Sequence, residues 1–388
     1  MMIRRLIVVV ILLLAIALVG CDCRKSEPVS ETVTPQPQMQ AQQYAKHFRI
    51  GKQDGFTTLT VTYPWERDNV FRYLLVPRDA KPPDHFDGQI VRTPVRTIVA
   101  LSTTYLAHLR QLGALDVLVG VSEAKYINDA DVLSGIRQGR IKELGMPPNI
   151  NLEMLIDLAP DLVITYGSGV AEYDDHQRLI ESGLPVAMTA EYIETTPLGR
   201  VEWLKVLALF LNRTEQADAV FADIEKKYSA LKDKAIAATT RPTVFLNSHY
   251  QGTWWIPGGK NYMAAYLADA GAEYLWKDDP TYQTVPVDAE VVFAKAQAAD
   301  FWLNPGTVQS VAELLLVDRR YAAFDAVKNC HVYNYDARTN PDGGNDFWET
   351  GMANPHLVLA DLIRVLHPEL LPDHELIWYR RLPCNPKQ

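Results

Sequence analysis

Residues 197–238 carry no strand pattern, while strand and helix patterns alternate on both sides of them. Before the gap, apolar runs of strand type lie at 98–101, 117–121, 162–164 and 185–188, separated by helical patterns at 105–112, 152–158 and 171–182. After it, strands at 244–246, 300–303 and 331–335 alternate with helices at 261–270, 289–298, 308–316 and 355–365. Alternation of this kind predicts parallel sheets covered by helices on both faces. The gap itself repeats apolar residues at helical spacing (Trp203, Val206, Leu207 and Phe210, then Val220, Ile224, Tyr228 and Leu231), with a break expected near Asn212-Arg213. The expected fold is therefore α/β, with two lobes, each holding a mostly parallel sheet flanked by helices, joined by a long rigid helix.

One unit recurs in both halves. Residues 151–167 read as an N-capping Asn151, a first-turn Glu153, a short amphipathic helix, a turn at Ala159-Pro160-Asp161 and a buried strand ending at Tyr166. Residues 288–303 repeat the order: Asp288, Glu290, an apolar helix, Asp300 and an apolar strand. One such glutamate is adequately explained by capping and dipole chemistry. Two at matching places predict a docking device with one acidic point on each lobe.

The N-terminus carries an address. Arg4-Arg5, an apolar run from Leu6 to Val19 and Gly20-Cys21 follow the basic, apolar, small-residue order of a secretory signal peptide. The tetrad Leu18-Val19-Gly20-Cys21 resembles a bacterial lipobox, which implies lipidation at Cys21, and Asp22 resembles an inner-membrane retention signal. Several acyl chains would hold the protein firmly, at about 0.8 kcal/mol per buried methylene. The expected location is the extracytoplasmic (periplasmic) side of the bacterial inner membrane. Residues 22–45 are rich in Pro, Gln, Ser and Thr and read as a disordered tether. The expected organisation is then a signal peptide and lipobox at 1–21, the tether at 22–45, an N-terminal lobe at 46–195, the connecting helix at 196–239 and a C-terminal lobe with a cap at 240–388. A net charge of −9 argues against nucleic-acid binding. Cys330 and Cys384 are compatible with a disulfide in an oxidising compartment, and no cysteine or histidine spacing points to a metal site.

The run from Arg96 to Ser102, the segment from Leu112 to Val121, and Asn151-Leu152-Glu153 through Ile164 match in order a known family. Over residues 90–367 the chain resembles ABC-importer substrate-binding proteins with a helical backbone between lobes, which carry cobalamin, iron-siderophores or haem. The resemblance implies a non-enzymatic, monomeric binding protein without a cofactor of its own. It also implies that Glu153 and Glu290 meet arginines of the membrane permease, through which the transport ATPase is engaged. A hairpin at 57–76, an expanded loop at 123–148 and a cap after His367 depart from simpler members.

Ligands of open α/β sheets bind at the carboxyl ends of the strands. The loops expected there bear Tyr126, Tyr166, His249, Tyr250, Trp254, Trp255, Tyr282, Phe347 and Trp348, a density suited to a large planar or aryl-bearing ligand. Arg137, Arg140 and Lys142 are candidates to meet an anionic siderophore, His249 or Tyr250 to ligate haem iron, and Glu349 to face the permease or a ligand amine. A ferric siderophore ranks ahead of cobalamin and haem. Two rival readings remain: an extracytoplasmic metallohydrolase using His367-Pro368-Glu369 and His374-Glu375, which Pro368 and Pro372 disfavour by breaking any helical metal motif, and a ligand-sensing lipoprotein without a transporter.

Overall fold

The computed structural model describes residues 38–63, 70–146, 149–169 and 174–384. The signal peptide, Cys21 and most of the expected tether lie outside the described residues.

Two parallel sheets form the frame. In the N-terminal lobe the spatial order is Val186–Thr189, Leu162–Tyr166, Ile98–Ala100, Leu118–Val121 and Lys142–Glu143, every neighbour parallel. In the C-terminal lobe it is Glu273–Tyr274, Thr243–Leu246, Phe301–Leu303 and Val332–Asn334, also parallel, closed by the antiparallel Arg380–Arg381. The central strands are fully buried, as their unbroken apolar runs require.

The duplicated unit folds twice in the same way. Asn151 caps the helix Leu152–Leu158 by accepting from the Met154 amide at 3.0 Å, and Asp288 caps Ala289–Ala296 by accepting from the Glu290 amide at 2.8 Å. At the turns, the Asp161 amide donates to Thr97 Oγ1 at 2.9 Å and the Asp300 amide to Thr243 Oγ1 at 3.0 Å. Their carboxylates accept in return from the amides of Arg96 and Thr243. Each aspartate thus ties the entry of its strand to the start of the neighbouring parallel strand.

The connector is three helices: Pro197–Glu202, Leu204–Leu211 and Thr214–Ile236. The expected break falls at Asn212, in a left-handed conformation (φ 60°) that asparagine tolerates better than most residues. Trp203, Val206, Leu207 and Phe210 enter the N-terminal core, as does Ala217. From Phe221 through Ile224 to Tyr228 the same 23-residue helix packs into the C-terminal core. One element therefore belongs to both cores, which opposes hinge bending more than extended linkers would.

Five segments differ from the sequence reading. The tether does not run to residue 45: Gln38–Ala41 pairs antiparallel with Phe48–Gln53, and buried Glu202 accepts the amides of Gln43, Tyr44 and Ala45. The hairpin at 57–76 is the centre of a five-stranded sheet spanning Gln38 to Thr93, with Thr62 opposite Val70; its turn at 66–69 lies outside the described residues. This sheet covers the open edge of the strand Val186–Thr189, where the Gln89 side chain donates to the Val186 carbonyl and accepts from its amide, both at 2.9 Å. The expanded loop at 123–148 holds a helix, Ala130–Arg137, capped by Asp129 through the amides of Asp131 and Val132. The cap after His367, which the sequence suggests is partly helical, contains no helix among its described residues: the amides of Ile377, Trp378 and Tyr379 converge on the fully buried Asp361, and Cys384 is bonded to Cys330. The helix expected at 171–182 is the shorter His176–Glu181, and residues 170–173 lie outside the described residues.

Candidate ligand-binding cleft

Two cavities open between the lobes where the parallel strands end. The larger, of about 710 Å3, is walled by Ser102 and Tyr126 from the N-terminal lobe and by Asp336, Asn345 and Trp348 from the C-terminal lobe, with Tyr166 deeper in. The second, of about 460 Å3, lies toward the connector and includes Arg200, Tyr262, Tyr282 and Asn304. Tyr335 and Trp348 belong to both, so the two cavities adjoin along one cleft.

Of the nine aromatic and histidine candidates, Tyr126, Tyr166, Tyr282, Phe347 and Trp348 line the cleft. Trp348 is 42% exposed, while Phe347 is almost wholly buried beneath it in an edge-on contact at 5.2 Å. Burial, with the charges of Glu191 and Asp174 adding to it, raises the Tyr166 phenol above its ordinary pKa, so Tyr166 meets a ligand as a neutral hydroxyl.

Four candidates do not line it. Trp254 is fully buried, packed at tilted and edge-on angles among Phe245, Trp302 and Phe324, with its indole N–H donating to the Leu246 carbonyl at 2.9 Å. Strand alternation explains this: on Thr253–Pro257 adjacent residues face opposite ways, so Trp254 points inward and Trp255, 48% exposed, points out. Trp255 shares its face with Pro257, which does reach the second cavity. Tyr250, 69% exposed, stands at the tip of the neighbouring hairpin. His249 is spent on Asp318, 3.1 Å away, and packs against Trp254 and Tyr321. Its expected role as an iron ligand has no geometric support.

The charged candidates are displaced as well. Arg137, Arg140 and Lys142 line neither cavity. Glu349 faces neither permease nor ligand amine: it is buried and accepts from the Asn128 amide at 2.7 Å and the Asp129 amide at 3.1 Å. Burial is the main cause raising its pKa to about 7, with the carboxylates of Asp346 and Asp129 adding to the shift. The histidines of the hydrolase reading are occupied separately, His367 by the Gly271 carbonyl and His374 by Asp361. Among the described residues no group of three or more His, Cys, Asp or Glu side chains is placed to hold a metal.

Glu153 and Glu290 are both exposed. Each begins a helix that leads back into a parallel strand, which puts it at the strand ends that carry the cleft. They differ in partners. Glu290 is paired with Arg320, whose guanidinium also holds Asp318, whereas among the described residues no ion pair involves Glu153.

Residues 98–339, more than half of the chain, match the family profile described as Periplasmic binding protein. The chain belongs to that family. Among curated relatives, this periplasmic binding protein is 28% identical over 329 residues to an uncharacterized lipoprotein of Methanocaldococcus jannaschii, covering 80% of each chain. A second uncharacterized lipoprotein of that organism is 24% identical over 295 residues, covering 72% of this chain and 67% of the relative. Among solved structures, a possible iron-binding periplasmic solute-binding protein of Staphylococcus epidermidis superposes with a TM-score of 0.56 at 17% identity, over 71% of this chain and 100% of the other. A periplasmic heme binding protein of Pseudomonas aeruginosa gives 0.54 at 19%, over 71% and 93%. A periplasmic vitamin B12 binding protein of Vibrio cholerae gives 0.50 at 16%, over 72% and 99%. At these identities the likeness carries the fold alone.

Sequence reasoning missed Met146, Arg200, Tyr262 and Tyr335 as cleft residues. Tyr335 was within reach, since it directly follows the strand Val332–Asn334. Arg200 was not, because it lies inside a connector helix and carries no loop signal.

Proposed function

We propose that this chain is an extracytoplasmic, lipid-anchored substrate-binding protein that captures a large metal chelate between its lobes and delivers it to an ABC permease. The observation that carries this reading is the inter-lobe cleft, walled by Tyr126, Tyr166, Tyr335 and Trp348 at the carboxyl ends of two parallel sheets. Aromatic faces on both lobes suit a rigid ligand held from two sides. Ferric siderophores, cobalamin and haem are the ligand classes to test. Anchoring at Cys21 accords with the lipoprotein relatives, and Glu153 and Glu290 are the proposed permease contacts, one per lobe. Charge pairs of this type set orientation and encounter rate more than affinity.

The decisive experiment is titration of intrinsic tryptophan fluorescence with ferric siderophores, cyanocobalamin and haemin. Trp348 stands in both cavities, so a bound ligand should quench it saturably, and Trp348→Phe should remove most of the response. If no member of the panel gives saturable quenching, the transport reading fails.

A further inference from the structure

Resting on that reading, we propose that the cleft selects a ligand with an uncharged body and a single anionic group, and that Arg200 receives that group. The argument begins with charge in the larger cavity. Among the described residues its one charged lining residue is Asp336, and Arg380 neutralises it, with Nε 2.7 Å from one carboxylate oxygen and Nη2 2.7 Å from the other. No lysine or arginine lines this cavity among the described residues. The nearest candidate in sequence, Lys125 beside Tyr126, is held by Glu123 at 2.7 Å. What remains is aromatic, hydroxyl and amide surface. Such a wall stacks on and hydrogen-bonds a neutral body, but it offers nothing to offset the desolvation of several negative charges.

The second cavity differs in one respect. Arg200 lines it, lying 3.4 Å over the Tyr262 ring, with Nε donating to the Glu194 carbonyl at 3.3 Å and Nη2 to the Tyr192 carbonyl. Among the described residues no carboxylate lies within ion-pair distance of it and Nη1 makes no hydrogen bond, although Glu191 and Glu194 act on its charge from farther off. Two carboxyls stand near. Glu194 is consumed by the amides of Lys46 and His47 and by the Trp203 indole N–H. Glu191 is buried, and that burial raises its pKa against the opposing charge of Arg200. The Arg200 guanidinium is therefore a half-buried cation in the cavity wall with donor capacity left over, the arrangement that suits one carboxylate or phosphate oxyanion. The cavities adjoin at Tyr335 and Trp348, and the proposal has one molecule extend from the neutral chamber to Arg200. Ferric tris-catecholates, with three negative charges, and haem, with two propionates, exceed what the site offers. A corrinoid with peripheral amides and one phosphodiester fits it, as does a neutral ferric hydroxamate bearing one carboxylate.

The test compares four probes by fluorescence titration of the purified chain: cyanocobalamin, a neutral ferric tris-hydroxamate, the same hydroxamate carrying one carboxylate, and a ferric tris-catecholate. Saturable binding is expected for a single-anion probe, and binding at least about 100-fold weaker for the tris-catecholate. Arg200→Gln should weaken the single-anion probe about 10-fold or more and leave the uncharged hydroxamate within about 2-fold; Arg200→Lys should recover part of the loss. The uncharged probe and an unchanged unfolding midpoint report that each variant is folded. Binding of the tris-catecholate as tight as any other probe overturns the inference alone, as does indifference of the single-anion probe to Arg200→Gln. Silence from all four probes overturns the transport reading and this inference together.

Discussion

Single side chains in this protein are decided by which way the backbone turns them. Trp254 and Trp255 look equivalent in sequence, yet one is core and the other exposed. That one of the pair should be exposed follows from strand alternation; which one depends on which face of the hairpin meets the helices, a tertiary fact. Trp254→Ala should lower the unfolding free energy by about 3–5 kcal/mol, as expected for a large aromatic removed from a packed core. It should leave ligand affinity nearly unchanged at temperatures where the variant stays folded, measured by urea denaturation and by titration. Trp348→Ala should do the opposite, weakening the ligand with little loss of stability, because its side chain is 42% exposed and lines the cleft. Tyr126, Tyr166 and Trp348 were legible because they sit at strand ends, where loop position alone predicts the site. Arg200 was illegible because its exposure to the cavity depends on how the connector packs, which no local pattern records.

At the scale of elements, the loop holding Glu349 is where the two lobes meet by hydrogen bonds instead of through a shared helix. Besides the Glu349 contacts, the Asn340 side chain donates to the carbonyls of Lys125 and Ile127, both at 3.0 Å, and Gln111 donates to the Ala353 carbonyl at 2.8 Å. Thr104 adds a bond to the Trp348 carbonyl at 3.0 Å. The pKa of Glu349, about 7, lies above the ordinary 4.5, so the folded chain holds this proton more tightly than the unfolded chain. The stabilisation it brings is complete below pH 4.5 and is lost as pH rises through about 7. Asp129, which faces it, has a lowered pKa through its hydrogen bonds from Arg110, and Asp346 is buried nearby against Arg338. The wild-type urea midpoint should therefore fall between pH 5 and pH 8 by more than that of Glu349→Gln, a difference on the order of 1–3 kcal/mol. Equal pH dependence in the two proteins would show that Glu349 does not titrate in this window. None of this was visible in the sequence, where the segment 123–148 reads as loop and Glu349 as a surface charge; a short helix and a buried carboxylate both depend on partners more than 200 residues away.

For the whole molecule, the alternating pattern and the strand-free interval sufficed to read two sheets and a connector, since hydrophobic period survives without tertiary context. The covering sheet of Gln38 to Thr93 was seen only in part, because its first strand is polar and pairs along a sheet edge. The two proposed docking points are also unequal in a way only the structure reveals. Glu290 is already bound to Arg320, so a permease arginine would have to compete for it, whereas among the described residues Glu153 has no such rival. Glu153→Arg should accordingly reduce stimulation of a reconstituted transporter's ATPase more than Glu290→Gln does, with ligand titration unchanged in both. A larger effect at Glu290 would mean that Arg320 is itself part of the contact.

The lobes are joined at two separate places, the helix that enters both cores and the bonded loop around Glu349. Two rigid bodies pinned at two points keep one freedom, rotation about the line through the pins. Any opening that leaves both pins intact is confined to that rotation, with no twist and no slide between the lips of the cleft. A ligand then enters and leaves from the lip opposite that axis, and a crosslink placed there would trap it where one placed near the axis would not.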